Sequence, residues 1–391
     1  MKTIKQKTIK IKDMKTRSIL FSTLCSLMLG MGLTGCADEK DQICEDPDEI
    51  TQYRLNYVMN EGLWGSNNAN ISGFHFDINT PSQVTSPIMN AMGDLYLQKN
   101  GKQMGDVANG MIEEDNKIYV VMNGSKYVAK LDLYCKEEAR YTFSENEGEP
   151  RCMEVEDGYV YVTQYGGKLT KINASDMTLA GTFEGGDNLE GVVEKDGKLY
   201  VANSYKVDGS GNWVYNDEMF IIDAKTMELE KTIKVALNPA YLYEFHDKIY
   251  LLSKGNYADV PYVLQVVDTK NGQVKSIPQT ENVNKVTEGD NKLLYCVRTT
   301  YDDNWNPVNS FFICNTQVDE VSETSFLTEV PEALKSDNIY FLEMDEETGY
   351  LYIGTTDYTN TGTIYQFDKN GKFIQSFDSG GINPSAMIFI D

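Results

Sequence analysis

Histidine is nearly absent from this sequence: only His75 and His246 occur among its 391 residues. A histidine-based metal site or a Ser-His-Asp triad therefore has almost no side chains to draw on. The spacing of the cysteines matches no zinc motif either. We therefore expect a protein without a metal, without a catalytic cofactor and without enzymatic activity.

Positive charge is also scarce, with 35 Lys and Arg against 59 Asp and Glu and a net charge of −24. Seven of the basic residues and one acidic residue lie within residues 1–35, so residues 36–391 carry a net charge of −30. Such a field repels phosphate backbones and anionic lipid. The composition argues against nucleic acid as a partner, and it suits neutral or cationic ligands.

The sequence lacks an apolar run long enough to span a membrane convincingly. The run Ile19–Leu33 follows a basic head and ends at Leu33-Thr34-Gly35-Cys36. This pattern is typical of a secretory signal, and its end resembles the bacterial lipobox. We predict a signal peptide over residues 1–35, lipidation of Cys36 and a lipidated acidic tether over residues 36–52. The tether resembles the surface-export signal of Bacteroidetes lipoproteins. This resemblance predicts a lipid-anchored protein on the outer face of the outer membrane. The alternative to the lipobox is a plain signal peptide with a chance cysteine, and the alternative to the export signal is an ordinary linker.

Five cysteines remain beyond Cys36, and an oxidising envelope would allow some of them to pair. Cys296 and Cys314 are expected on adjacent strands, whereas Cys135 and Cys152 are expected near a junction of two repeats. Either pair is compatible with the sequence, and free buried thiols are the alternative.

Helical periodicity is missing after residue 50. Instead, a turn residue pair followed by an alternating β-branched run with a tyrosine recurs every 40 to 60 residues or so, a spacing typical of propeller blades. The copies are Tyr53–Val58, Asp115–Val120, Asp157–Val162, Asp196–Val201, His246–Leu251, Asp290–Tyr295 and Thr348–Ile353.

The seven copies predict an all-β fold, a seven-bladed β-propeller of four-stranded antiparallel blades over residues 53–391. The first copy begins directly at its tyrosine strand, whereas the sequence finishes with an extra apolar segment, Ile382–Ile390. We predict that this C-terminal strand completes blade one, which closes the ring and covers two sheet edges. An eight-stranded sandwich is the alternative, but it accommodates too few strands.

All three tryptophans fall in one class of loop, the loops that follow the tyrosine strands. Large aromatic side chains gathered in exposed loops indicate a ligand surface; capping of the blades is the alternative. The aromatic residues predicted to bind ligand are Trp64, Tyr165, Tyr205, Trp213, Tyr215, Tyr257, Tyr301, Trp305 and Tyr358.

A second set of loops leads into the inner strands and should open on the same face. Counting back from each strand tyrosine places one residue per blade at the rim of the central channel: Asn109, Arg151, Glu190, Ala240, Asn284, Asn338 and Ser385. Of these, Asn109, Arg151, Glu190, Asn284 and Asn338 are predicted ligand contacts. A polar ring inside an aromatic face suits a large, flat ligand that carries amides or hydroxyls.

The segment Asn60-Glu61-Gly62-Leu63-Trp64-Gly65, followed by Ile71-Ser72-Gly73-Phe74 and by Tyr200-Val201-Ala202-Asn203, resembles the YncE-like (DUF5074-type) surface propellers of Bacteroidetes. The resemblance covers essentially all of residues 36–391. It implies a lipoprotein that binds cobalamin (vitamin B12) or a related corrinoid outside the cell and delivers it to a BtuB-type TonB-dependent outer-membrane transporter.

Three other functions remain open from the sequence. The same aromatic and amide groups would suit a surface glycan-binding protein, and a propeller face can also serve as a scaffold for a partner protein. An enzyme would need a base, a nucleophile or a metal at the channel mouth, where only Arg151 and Glu190 are expected to be strongly ionic. Asp302, Asp303 and Asn304 offer oxygen atoms for calcium, but acidic residues in a loop are usually solvated.

Overall fold

The structure is a computed structural model of the chain that describes residues 53–77, 92–245, 248–289 and 292–390. The predicted signal peptide, the lipidation site Cys36 and the tether lie outside the described residues. Within the described residues, no helix has the length and apolar character needed to cross a bilayer.

The fold is a seven-bladed β-propeller, as the repeat predicted. The strands of blades 1 to 4 are β1 (Tyr53–Asn60), β2 (Asn70–Asp77), β3 (Ala108–Glu114), β4 (Lys117–Met122), β5 (Tyr127–Leu131), β6 (Glu137–Thr142), β7 (Pro150–Glu156), β8 (Tyr159–Gln164), β9 (Lys168–Asn173), β10 (Leu179–Glu184), β11 (Asn188–Lys195), β12 (Lys198–Val207), β13 (Trp213–Asp223) and β14 (Leu229–Lys234). Blades 5 to 7 contain β15 (Pro239–Phe245), β16 (Lys248–Ser253), β17 (Val263–Asp268), β18 (Gln273–Ser276), β19 (Val283–Gly289), β20 (Leu293–Tyr301), β21 (Pro307–Asn315), β22 (Glu320–Ser322), β23 (Asn338–Asp345), β24 (Tyr350–Thr356), β25 (Thr363–Phe367) and β26 (Phe373–Asp378), and the last strand is β27 (Pro384–Ile390).

Blades 2 to 7 are four-stranded antiparallel sheets whose strands follow one another in chain order. The inner hairpins of blades 2 to 4 turn at Asp115-Asn116, Asp157-Gly158 and Asp196-Gly197. Asp115 and Asn116 both have positive φ angles, as do Asp157 and Gly158. Two successive positive φ angles are typical of the type I′ turn, whose twist matches that of the flanking strands.

Blade 1 takes its inner strand from the C-terminal segment. Its described strands are ordered β2-β1-β27, and β27 pairs antiparallel with β1 from Leu55 opposite Ile390 to Asn60 opposite Pro384. The predicted closure of the ring by the C-terminal strand is therefore confirmed.

The hydrophobic core consists of layers between the blades. Seven clusters of buried side chains occur among the described residues, and each joins two neighbouring blades. One of them joins blade 7 to blade 1 through Tyr352, Phe341, Val58 and Met387. Because each blade packs both faces against neighbours, tyrosine strands such as β4 and β16 are buried over most of their length, whereas outer strands such as β10 and β14 remain largely exposed.

The strand tyrosines belong to these layers, and all seven are buried: Tyr57, Tyr119, Tyr161, Tyr200, Tyr250, Tyr295 and Tyr352. The Tyr57 hydroxyl donates to the Leu133 carbonyl in the next blade at 2.7 Å. Likewise, the Tyr250 hydroxyl donates to Asp319 of the next blade at 3.2 Å. The tyrosine ring thus fills the layer between two blades, and its hydroxyl reaches a polar partner in the next blade.

In the described part of the chain, two short helices that the sequence did not predict interrupt the β structure. Helix α1 (Leu95–Asn100) begins where the Asp94 side chain accepts from the Leu97 amide and ends at Gly101 in the left-handed conformation. A single 3-10 turn covers Ala333–Lys335. Both are too short for hydrophobic periodicity to reveal them.

The four described cysteines beyond the tether are free thiols. Cys135 lies in the layer between blades 1 and 2, whereas Cys152 lines the central channel. Cys296 and Cys314 lie on paired strands but not opposite each other, because Cys296 faces Phe312 and Cys314 faces Leu294. Of the alternatives that the sequence left open, the structure contains the unpaired form.

Candidate functional site

The loops after the tyrosine strands and the loops that enter the inner strands meet on one face. In blade 1 the Glu61 amide donates to the Asn383 carbonyl at 2.8 Å. The same contact recurs in blade 5, where the Lys254 amide donates to the Asn238 carbonyl at 2.8 Å. Backbone hydrogen bonds therefore hold the two loop sets together around one end of the channel.

Each inner strand begins with a β-bulge, where its register with the tyrosine strand shifts. The residues left without a partner in the register are Asn109, Arg151 with Cys152, Glu190 with Gly191, Ala240, Asn284, Tyr340 and Ser385. A bulge re-aims a side chain and increases the local twist. Six of the seven predicted rim positions are bulge positions.

The prediction for blade 7 was wrong. Asn338 pairs regularly with Thr356, and the bulge falls on Tyr340. The turn between β23 and β24 spans residues 346–349, whereas the turn between β7 and β8 spans only residues 157–158. In blades 2 to 5 the bulge lies ten residues before the strand tyrosine, and the longer turn of blade 7 makes this distance twelve residues. Asn338, fourteen residues before Tyr352, was therefore placed two residues too far back.

The channel mouth is a polar cavity of about 310 Å³. Asn109, Arg151 and Ser385 line it, as predicted from the sequence. The other polar and aromatic lining residues were not predicted, namely Glu61, Tyr241, Tyr243, Lys285, Tyr340, Phe341 and Glu343. The available signal was the pair of tyrosines at alternate positions of β15, Tyr241 and Tyr243, since no other inner strand carries tyrosine at both positions.

Asn284 and Asn338 contact their own blades. Asn284 donates to the Thr299 hydroxyl at 2.9 Å, and its amide oxygen is buried without a partner. Asn338 donates to the Thr356 carbonyl. Neither residue lines the cavity.

Arg151 and Glu190 form an ion pair at the side of the mouth, with 3.2 Å between Nη2 and Oε2. The Glu190 side chain is only 7% exposed. The Tyr165 hydroxyl donates to Glu190 at 3.3 Å, and its ring lies 4.9 Å from the Arg151 guanidinium carbon. Burial, reinforced by Glu190, raises the pKa of Tyr165, so this side chain remains a neutral donor.

A second polar group lies across the mouth. Lys254 donates to the Tyr241 hydroxyl at 3.2 Å, and Lys285 lies 5.6 Å from the centre of the Tyr340 ring. The Tyr340 hydroxyl in turn donates to Glu61. Lys254, and after it Lys285, lower the pKa of Tyr241. The expectation that Arg151 and Glu190 are the only strongly ionic groups at the mouth was therefore wrong.

The carboxyl group of Glu343 lies in the same cavity, and burial raises its pKa from 4.5 to about 7. In the unfolded chain this group ionises near its ordinary value, so the folded protein binds an extra proton between the two values. We expect this residue to lower the stability by roughly 2–3 kcal/mol as the pH rises from about 4.5 to above 7. The Glu343→Gln variant should therefore gain stability over wild type at pH 8 and show no gain at pH 4.5.

Urea unfolding at both pH values measures this difference. Glu281→Gln, which changes an exposed glutamate, is the matched control and should follow wild type at both values. An equal effect of Glu343→Gln at pH 4.5 and pH 8 would show that Glu343 ionises in the ordinary range.

The aromatic residues above the mouth form an arc over blades 3 to 7. We call the following residues the aromatic arc: Tyr165, Tyr205, Trp213, Tyr215, Tyr257, Tyr262, Tyr301, Trp305, Tyr340 and Tyr358. Tyr205 stacks on Trp213 with 4.6 Å between ring centres, and Tyr165 meets Tyr205 edge-on. Further ring pairs join Tyr215 to Tyr257, Tyr257 to Tyr262, Tyr301 to Trp305 and Tyr340 to Tyr358.

The tryptophans remain accessible despite these contacts. Trp64 is 66% exposed, Trp213 is 57% exposed and Trp305 is 83% exposed. A tryptophan that served only to cap its own blade would bury most of its ring. Apolar surface left open on one face therefore indicates a contact surface.

Two of the predicted loops are in fact extensions of β-hairpins. β12 and β13 stay paired out to Val207 opposite Trp213, and β20 pairs with β21 out to Tyr301 opposite Pro307. Trp213 and Tyr215 are therefore strand residues. An extended hairpin holds its side chains more firmly than a loop, because cross-strand hydrogen bonds fix its backbone.

At each hairpin tip, the side chain of an aspartate accepts hydrogen bonds from backbone amides of the turn that follows it. Asp208 accepts hydrogen bonds from the Ser210 and Asn212 amides. Asp302 accepts from the Asn304 and Asn306 amides, each at 2.8 Å. The Asp302 carboxylate thus shapes the turn that presents Trp305.

An acidic cluster lies at the opposite ends of the inner strands. Among the described residues, Glu156, Asp157 and Glu194 place carboxylate oxygens within 4.8 Å of one another. Burial, followed by repulsion from nearby glutamates, raises the pKa of Glu154 to about 8. These are the described side chains best placed for a cation, and sequence spacing did not bring them together.

The comparisons with known proteins agree with the fold. No protein-family model matches the chain, and no curated protein sequence matches it. Among solved structures, the computationally designed protein Ika8 matches with a TM-score of 0.52 and 10% identity over 84% of this chain and 89% of that one. A streptogramin B lyase matches with a TM-score of 0.50 and 12% identity over 69% of this chain and 82% of that one. At these identities the likeness shows the propeller fold alone.

Proposed function

We propose that the protein is a binding protein that captures a cobalamin-type corrinoid on its aromatic face. The observation that carries the proposal is the aromatic arc beside a polar cavity. The exposed rings offer apolar contact area, and the polar groups of the mouth offer hydrogen bonds to the edges of a flat, amide-rich ligand. Because backbone hydrogen bonds hold these loops, little ordering accompanies binding.

The cellular setting is part of the same proposal and rests on the sequence. The lipobox and the acidic tether favour a lipid-anchored protein on the outside of the outer membrane. The resemblance to YncE-like propellers is greatest for the cobalamin-capturing lipoprotein BtuG, which favours transfer of the ligand to a BtuB-type TonB-dependent transporter. Catalysis has no role in this proposal.

We predict that purified protein incubated with cyanocobalamin retains the visible corrin spectrum after desalting. Trp213→Ala and Trp305→Ala should each weaken binding by about 1–3 kcal/mol, because each removes an aromatic anchor from the contact surface. Spectroscopic titration of wild type and variants measures the effect.

Tyr134→Ala provides the matched control. Tyr134 is also largely exposed but lies in the turn between β5 and β6, at the other end of the blades. It should bind like wild type. A colourless wild-type protein after desalting would overturn the corrinoid proposal, and binding to a polysaccharide panel under those conditions would favour glycan recognition.

A scaffold function is the second candidate, and the exposure of Trp305 favours it. A ring that is 83% exposed at the tip of a hairpin is placed to dock into a partner protein. Docking and ligand capture can share this face, since a transporter must approach the ligand to receive it. Loss of partner binding in Trp305→Ala with unchanged corrinoid binding would assign this hairpin to docking.

A further inference from the structure

Two lysines at the channel mouth make no direct ion pair. Among the residues that the structure describes, neither the Lys254 nor the Lys285 ammonium lies within ion-pair distance of a carboxylate, although Glu190 acts on Lys254 and Glu343 and Glu61 act on Lys285 at longer range. Other withdrawn lysines have an oxygen partner at short range: Lys195 contacts Glu244 at 2.7 Å, Lys248 contacts Asp319 at 2.8 Å, and Lys171 donates to the Ala224 carbonyl at 2.7 Å. A lysine withdrawn from water is normally paired, so these two ammonium groups call for an explanation.

The contacts of Lys254 and Lys285 involve phenols and rings. Lys254 lies 3.2 Å from the Tyr241 hydroxyl and 4.4 Å from the centre of its ring. Lys285 lies 5.6 Å from the centre of the Tyr340 ring. A cation over a ring is stabilised by about 0.5–2 kcal/mol, but both ammonium groups keep donors free.

The nearby carboxylates make their direct contacts with other groups. Glu190 contacts Arg151 and Tyr165, and Glu61 accepts from Tyr340. Burial raises the pKa of Glu343, against the opposite effect of Lys285, so this carboxyl is a weak counter-charge for Lys285. Two ammonium groups without a direct ion pair thus lie at one end of the channel, in a protein whose overall charge is −24.

We propose that Lys254, Lys285 and the Tyr241 hydroxyl bind an oxyanion, namely a phosphoryl group carried by the ligand. This inference rests on the proposed function, since the remainder of the ligand lies against the aromatic arc. A phosphoryl group offers several acceptor oxygens to these donors, and charge-assisted hydrogen bonds are roughly twice as strong as neutral ones. Tyr241 and Lys285 line the cavity, and Lys254 donates to the Tyr241 hydroxyl, which leaves the hydroxyl hydrogen free to point at the oxyanion.

The overall negative charge of the protein affects which anions can reach the proposed oxyanion site. The surrounding field repels a free phosphate ion at long range, with a screening length of about 8–10 Å at physiological salt. When the phosphoryl group is attached to a flat body, the contacts between that body and the aromatic arc overcome this repulsion. We therefore expect the site to select a large phosphorylated ligand and to bind inorganic phosphate weakly.

The test compares two corrinoids that differ only by a phosphoryl group, cobinamide and cobinamide phosphate. Spectroscopic titration of wild type should give at least tenfold tighter binding of cobinamide phosphate. The Lys254→Met/Lys285→Met variant should lose this preference while still binding cobinamide. Lys206→Met, which removes an exposed positive charge from the same face, should keep the preference. Equal binding of both corrinoids to wild type, or an unchanged preference in the double variant, would overturn the proposal.

Failure of the proposed function has a different signature. If wild type binds neither corrinoid, the corrinoid proposal fails, and melting with tens of millimolar inorganic phosphate tests the oxyanion site by itself. A phosphate-dependent rise in Tm that Lys254→Met and Lys285→Met each abolish would support the site; no rise in wild type would overturn it. Lys254→Arg and Lys285→Arg, which retain the charge, serve as second variants should a methionine variant fail to fold.

Discussion

Deletion of residues 384–391 is expected to abolish folding of the propeller. The deletion removes β27, which pairs with β1 and buries Met387, Ile388 and Ile390. Burial of each such side chain contributes about 1.5–3 kcal/mol, and the hydrogen bonds of the strand are lost as well. Because the whole domain is stabilised by only about 5–15 kcal/mol, the shortened chain should show no cooperative thermal transition.

A matched deletion elsewhere separates ring closure from chain length. Replacement of residues 208–212, the tip of the β12–β13 hairpin, by Asn-Gly shortens the chain at an exposed turn and should leave the transition intact. Addition of a synthetic peptide covering residues 383–390 should partly restore the transition, because it refills the gap beside β1. A truncated protein with wild-type circular dichroism and melting temperature would contradict closure by β27.

Glu190→Gln is expected to destabilise the protein by about 3 kcal/mol. The substitution keeps the shape of the side chain but leaves the Arg151 guanidinium without its counter-charge. Removal of one partner of a buried ion pair typically costs about 3–5 kcal/mol of stability. We expect a cost near the lower end of this range, because the Arg151 side chain keeps 23% exposure. Urea unfolding at neutral pH measures the loss.

A double-mutant cycle with Arg151→Met isolates the pair. Replacement of both partners leaves no uncompensated charge. The double variant should therefore lose less stability than the sum of the losses in the two single variants, with a coupling free energy of at least about 1 kcal/mol. The Tyr165→Phe variant removes one hydrogen bond to Glu190 and should cost about 1 kcal/mol. Strict additivity of the two charge changes would mean that solvent screens the pair.

Much of the fold could be predicted because the propeller is a local repeat. Each turn pair, such as Asp157-Gly158, selects a hairpin, and each alternating run selects a strand. The C-terminal strand could be assigned because the first copy lacks an inner strand. The extended hairpin from Lys198 to Asp223 was missed, since the polar residues between its two apolar halves are also typical of a loop.

The candidate site could be predicted less fully. Asn109, Arg151 and Glu190 were located because each lies ten residues before its strand tyrosine, across turns of equal length. In blade 7 the turn is two residues longer and the bulge lies at Tyr340, whereas the prediction went two residues further back, to Asn338. Lys254 and Lys285 gave no signal, since a lone lysine in a sequence is usually a solvated side chain.

The sequence by itself determined the number of blades, the identity of the closing strand and the concentration of aromatic residues in one loop class. These features follow from hydrogen-bonding and burial preferences that act over a few residues. Only the tertiary structure decided which side chains meet at the channel mouth. β-bulges re-aim single residues, and the ring brings Arg151, Tyr241, Lys285 and Glu343 from four different blades into one cavity. Distances of that kind depend on the summed geometry of all seven blades, which no local pattern encodes.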